Sequence, residues 1–176
     1  DGKNDPRLIF TSQNGRMLAV NAKTGKAADG FGEKGVINLR TPDVMRGFPD
    51  RPYGVSSAPL IYKNLAITGS AMGEIPKGPA GNVRAWDVLT GKMVWTFKTV
   101  PGPGELGYDT WAPGSTVDRA GANVWGLMNV DAERGIAYLP FGAPASDRYG
   151  GDRHGTNLFS GSLVAAREAL RKAGVA

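Results

Sequence analysis

Gly81 to Trp95, GNVRAWDVLTGKMVW, decides the fold: it reads as two short strands joined by a tight Leu-Thr-Gly turn and closed by a tryptophan. It is also a repeat. An earlier copy, Gly15 to Lys26 (GRMLAVNAKTGK), keeps the same frame, with Gly15, Ala19, Asn21 and Thr24-Gly25-Lys26 matching Gly81, Ala85, Asp87 and Thr90-Gly91-Lys92, all at an offset of 66 positions. A third, decaying copy begins at Gly161 (GSLVAAR), 80 positions after Gly81, and lacks the Thr-Gly turn. Such spacing implies stacked β units, because one unit cannot bury its apolar faces alone. A propeller blade is the natural candidate. Two or three copies are too few for a closed ring, which takes roughly 4 to 8 blades.

Composition agrees. With 26 Gly and 12 Pro in 176 residues, a loop-rich all-β class is favoured over a helical one. The net charge of +5 raises the question of a polyanion partner, but the Lys and Arg residues are scattered and no basic cluster is interleaved with aromatics, so nucleic acid is not expected. Without cysteine there is neither a disulfide framework nor a thiolate metal site. The opening DGKNDPR carries no visible secretory signal, and no apolar run is long enough to span a bilayer.

Along the chain, Leu8–Ser12 and Arg16–Ala22 flank a Gln-Asn-Gly turn, a strong hairpin signal. Asp29–Tyr53 has no sustained period and reads as a long rim loop. Ala58–Tyr62 and Leu65–Ser70 are two strands, Gly73–Gly81 and Pro101–Pro113 are loops, and Asn123–Val130 and Gly135–Phe141 are strands again. The second complete unit therefore runs from Ala58 to Phe141, and Gly142–Thr156 is loop. From Ser162 the composition turns to Ala, Leu, Arg, Glu and Lys, and AAREALRKAG reads as a helix closed by Gly174, so 166–176 is expected to be a helical tail outside the repeat.

Few residues offer chemistry by themselves. Gly102–Gly107 (GPGELG) fits G-x-G-x-x-G, but the Tyr-Asp-Thr-Trp-Ala-Pro that follows opens no helix to receive a pyrophosphate. His154 is the sole histidine, which excludes histidine metal clusters and triads. Glu74, Glu105, Asp109 and Asp152 are acidic loop residues that sequence does not place together. Trp86 and Trp95, inside the repeat, suit packing between blades. Trp125, at a strand start where blades approach an axis, is open to either core or ligand stacking.

Taken in order, SSAPLIY (56–62), ITGSAMGE (67–74), GNVRAWDVLTGKMVWTFKTVPGPGE (81–105), Thr110-Trp111, GANVWGLMNVDAERGIAYLP (121–140) and YGGDRHGTNLFSGSLVA (149–165) resemble the quinoprotein dehydrogenases. These enzymes use pyrroloquinoline quinone (PQQ) at the axis of an eight-bladed propeller, and the YLP and YGGDR text leans toward their glucose-type branch. The resemblance implies an all-β partial propeller of two to three blades spanning 1–165. It also implies oxidation of a sugar or other alcohol, a quinone or cytochrome electron acceptor, a periplasmic setting, and a need for the remaining blades.

By position, Trp125 resembles the tryptophan that stacks on the quinone, and Asn123 a residue that hydrogen-bonds it. Ser56 or Ser57 falls where a hydroxyl contacts a PQQ carboxylate. Gly73 and Glu74 fall at a backbone contact and a calcium ligand. Hard oxygen ligands suit Ca²⁺, which polarises a quinone carbonyl. Ala143 departs from the pattern: relatives carry a calcium-ligating asparagine there, and alanine has no side-chain oxygen. The family's catalytic aspartate lies beyond this chain toward the C-terminus, and a cofactor-contacting arginine is expected upstream of residue 1. No catalytic residue is therefore assigned here, and the fragment alone is expected to be inactive. A non-catalytic propeller scaffold, and a truncated gene product, are the alternatives.

Overall fold

The computed structural model describes residues 5–167. Arg7–Thr11 (β1), Arg16–Asn21 (β2) and Val36–Asn38 (β3) form a first antiparallel sheet in the order β1-β2-β3. After a single helical turn, Pro42–Met45 (α1), and a short strand, Tyr53–Gly54 (β4), comes the four-stranded middle sheet. Its strands are Leu60–Tyr62 (β5), Leu65–Thr68 (β6), Val83–Asp87 (β8) and Met93–Phe97 (β9), in the order β5-β6-β8-β9. Ala71–Met72 (β7) leaves that run to pair with β4. Asn129–Asp131 (β10), Ile136–Pro140 (β11) and Leu163–Ala166 (β12) make the last sheet. The architecture is all-β, a partial propeller.

The repeated Asn/Asp-x-x-Thr-Gly-Lys text has a physical reason. Asn21 Oδ1 accepts the N–H groups of Lys23 and Thr24 at 3.0 and 3.1 Å, and Asp87 Oδ1 accepts those of Leu89 and Thr90 at 3.1 and 2.8 Å. The Thr hydroxyls then accept the Lys26 and Lys92 N–H groups at 3.3 and 3.2 Å. Gly25 and Gly91 close both turns at φ +68° and +70°, which disfavours any side chain. A related device joins β10 to β11, where Asp131 Oδ1 accepts the Arg134 N–H at 2.9 Å. Arg134 stands here in place of the threonine.

The two central strands of the middle sheet, β6 and β8, are buried on both faces. Ala66 and Trp86, directly paired across β6 and β8, face Met17, Phe31, Leu39 and Val44 of the first unit. Their neighbours Leu65, Ile67, Val83 and Ala85 face Val124, Ala137, Leu139 and Phe141 of the last. The period-2 alternation of two adjacent strands therefore feeds two separate cores. Trp86 is 5% exposed and donates Nε1–H to Thr68 Oγ1 at 3.0 Å, while Trp95 packs against the second core.

Four expectations are corrected. Asp29–Tyr53 is not all loop: β3 within it pairs with β2, and α1 contributes Val44 and Met45 to the core. Ala58–Phe141 is not one unit, because the middle sheet ends at Phe97 and a new sheet opens at Asn129. The strand expected over Asn123–Val130 starts only at Asn129. The expected helical tail loses its start, since Ala165 and Ala166 pair as strand with Tyr138 and Ala137, and 168–176 lie outside the described residues.

Burial alone would raise the Asp87 carboxyl, but hydrogen bonds from Thr90, Leu89 and Asn64 outweigh it and hold the group below its ordinary value. A carboxyl lowered on folding stabilises the fold above about pH 4, and that contribution is lost as pH falls through the lower folded value. Asp87→Ala is expected to cost about 1–2 kcal/mol in chemical denaturation at pH 7, the scale of a lost cap. Asp87→Asn, which copies Asn21, should stay close to wild type at pH 7 and flatten the loss of stability below pH 4.

The first sheet turns Leu8 and Phe10 outward, 59% and 45% exposed, and the last sheet leaves Leu163 69% exposed. Apolar sheet faces and unpaired edges of this kind associate. The 176-residue chain is expected to elute as oligomers or aggregates in size-exclusion chromatography, and a monodisperse monomer that melts cooperatively would contradict this.

Candidate functional site

Of the residues singled out above, Ser56, Asn123 and Trp125 lie where β6 meets the segment before β10. Gly69 follows β6, and a Cβ placed on it would sit 1.9 Å from the Val124 carbonyl oxygen, so only glycine admits that approach. Just past it, the Ser70 N–H donates to Val124 O at 2.9 Å, and Asn123 Nδ2 donates to Ser70 O at 2.6 Å. Together these bonds seam the second sheet to Ala122–Trp125. This irregular pairing explains why apolar-rich GANVWGLM reads as strand without being one.

From that seam Trp125 projects with 65% of its surface exposed, an unusual state for an indole. Its backbone is held by Ser56, whose hydroxyl donates to Trp125 O at 3.0 Å. Gly142 lies behind the ring, where an added Cβ would come within 3.0 Å of Trp125 Nε1. Ser57, next to Ser56, is 8% exposed and has a buried hydroxyl without a partner, as does Ser70, which sequence had not singled out. Buried orphan hydroxyls are rare and mark places where a further polar group is accommodated. Asn123 is itself 8% exposed, and its amide N–H is engaged by Ser70.

Glu74 is exposed, and its Oε2 accepts the Asp147 N–H at 3.0 Å. Gly73, after β7, approaches Pro52, with a hypothetical Cβ 3.1 Å from Cγ. One segment, Gly142–Asp147, thus runs from Trp125 to Glu74 and joins the two halves of the constellation. Among the described residues no group of three His, Cys, Asp or Glu side chains is placed to hold a metal. Ala143 offers only its carbonyl, which already accepts the Ala122 N–H at 2.8 Å. A flat ring carrying carboxylates fits the exposed indole and the unpartnered hydroxyls. A hard cation would find the Glu74 carboxylate, next to Asp147.

Trp111 belongs elsewhere. It is 5% exposed and donates Nε1–H to Leu158 O at 2.7 Å, a packing role.

Comparison with known proteins gives the family. Residues 1–169 match the family described as "PQQ: Glucose/ethanol/alcohol dehydrogenase, beta-propeller domain". The chain belongs to this family. Quinoprotein glucose dehydrogenase of Gluconobacter oxydans is 36% identical over 154 residues, covering 84% of this chain and 18% of the relative. The dehydrogenase subunit of the quinone-linked alcohol dehydrogenase of Gluconacetobacter polyoxogenes is 33% identical over 177 residues, covering 92% of this chain and 23% of its own length. Among solved structures, quinohemoprotein alcohol dehydrogenase ADHIIG from Pseudomonas putida HK5 superposes with a TM-score of 0.72 at 26% identity, covering 93% of this chain and 24% of that one. The chain therefore spans about a fifth of the length of these family members.

Gly69→Ala is expected to break the seam at a cost of about 3 kcal/mol or more, the upper range for overpacking. Thermal melts should show the loss. Ser70→Ala should leave the melting temperature within about 2 °C of wild type, since it removes a buried hydroxyl that makes no hydrogen bond and leaves no partner unsatisfied.

Proposed function

We propose that this chain supplies the floor of the cofactor site in a PQQ-dependent dehydrogenase that oxidises a sugar or other alcohol to the carbonyl. The observation that carries the reading is the exposed Trp125 indole, held at its backbone by Ser56 and bordered by Gly142. An exposed indole offers a large rigid face on which a flat ring can stack. Bound PQQ would supply the two-electron acceptor that side chains lack.

In this reading Trp125 is the platform and fixes the plane of the ring. Ser57 directs to a ring carboxylate a hydroxyl donor that nothing else occupies, while the Ser56 hydroxyl stays on the Trp125 carbonyl and holds the platform. Asn123 acts from behind by anchoring Ser70 and fixing the backbone that carries Trp125. Glu74 gives one oxygen ligand to a Ca²⁺ whose other ligands come from elsewhere in the propeller. Gly73 brings backbone close to the same place. The base that takes the hydroxyl proton, the electron acceptor (quinone or cytochrome) and the periplasmic setting are assigned to the whole enzyme, of which this chain is a part.

Two experiments separate this reading from a non-catalytic scaffold. Titrated with PQQ, the wild-type chain should lose tryptophan fluorescence saturably. Trp125→Ala should weaken that binding at least tenfold by equilibrium dialysis, about 1.4 kcal/mol, within the range of one lost stacking contact. Equal binding by the variant, or none by the wild type, favours the scaffold. With PQQ and Ca²⁺ added, the 176-residue chain should reduce no dye with glucose or ethanol, and measurable turnover would refute the assignment of the base to the rest of the enzyme.

A further inference from the structure

Arg84 is the largest fully buried side chain among the described residues, 2% exposed, in the middle of strand β8. Its Nη1 donates to Asn82 O at 3.1 Å and to Tyr53 Oη at 3.3 Å, both neutral acceptors, and its Nε has no partner. None of the ion pairs among the described residues includes it. A buried cation without a carboxylate is expensive, and proteins rarely leave one so.

Arg84 lines a cavity of about 440 Å³, large enough for a small organic molecule. Arg46 lines it too. That side chain has a buried, unpartnered Nε and otherwise donates to the carbonyls of Gly78, Asp118 and Arg119. Burial above all lowers its pKa; Asp118 pulls it back up and the nearby Arg84 charge lowers it further, so the two guanidiniums sense each other. Lys98 and Arg119 complete the basic lining, each paired away from the cavity, with Glu105 and Asp152. Asp43 is the acidic lining residue, and its Oδ1 accepts the Thr41 hydroxyl at 2.5 Å. Val100, Pro101, Pro103 and Val117 give one apolar wall, and Asn82 and Thr116 a polar one.

We propose that this cavity binds a small organic carboxylate, its oxygens on Arg84 and Arg46 and its carbon skeleton against the proline and valine wall. Guanidinium forks match carboxylate geometry, and the space exceeds what a lone inorganic anion fills. None of Ser56, Glu74 and Trp125 lines the cavity, so the proposal stands independently of the cofactor reading.

Equilibrium dialysis of the 176-residue chain with radiolabelled succinate, at ionic strength fixed with sodium chloride, tests it. Saturable binding is expected, displaced by unlabelled succinate, at least tenfold less well by inorganic phosphate, and not by the neutral diamide succinamide. Arg84→Gln should abolish binding. Because that change can also unfold the sheet, Val117→Asp serves as the second variant: position 117 is 56% exposed, and a carboxylate at the rim should weaken succinate binding at least tenfold in a chain that still melts as wild type. Absence of saturable binding, displacement by succinamide, displacement by phosphate as effective as by succinate, or an unchanged affinity in Val117→Asp would each overturn the proposal.

Discussion

Burial of the two central strands of the middle sheet on both faces is the constraint from which the rest follows. β6 and β8 carry apolar side chains in every register position from Leu65 to Ile67 and from Val83 to Trp86, apart from Arg84. Odd positions meet one neighbour sheet and even positions the other, so neither core forms without the central strands. Once three sheets are stacked this way, the ends of β6 and β8 come beside the segment before β10. Gly69 then allows the backbone contact with Val124 that sets Trp125 at the surface.

Much of this was legible in the text of the chain. Asp87, Thr90 and Gly91 announce their turn because side-chain acceptor, hydroxyl and positive φ each demand a particular residue, and the same demands recur at Asn21, Thr24 and Gly25. The packing role of Trp86 and Trp95 followed from their place in the repeat. Less legible was β3, whose three residues are too few to display a period, and whose pairing with β2 is fixed by tertiary contact. Asn123–Met128 misled for the opposite reason: its apolar content suits a strand, but its backbone bonds go to Ser70 and Gly142 instead of a ladder. At the start of the expected tail, helix propensity is a weak prior, and Ala165 and Ala166 yield to pairing with β11.

The site divides along the same line. Trp125, Ser56, Asn123 and Glu74 were named from the resemblance to quinoprotein dehydrogenases, and the structure puts Ser56 on Trp125, Asn123 on the seam, and Glu74 at the far end of the Gly142–Asp147 segment. Ser70 carries no sequence signal beyond its place in ITGSAMGE, since a serine between glycine and alanine looks like any loop residue. Arg84 does carry a signal in the sequence. A basic residue between Val83 and Ala85 in a central strand must be buried, and a buried guanidinium requires an account of its charge.

What ties sequence, seam and chemistry together is the claim that the Trp125 face is the bed of a planar cofactor. Crystals of the chain grown with PQQ measure this directly. Density for a flat tricycle lying parallel to the Trp125 indole, with a carboxylate toward Ser56 and Ser57, is the expected result. A bound ring anywhere else on the molecule, with the indole left open to solvent, would contradict it.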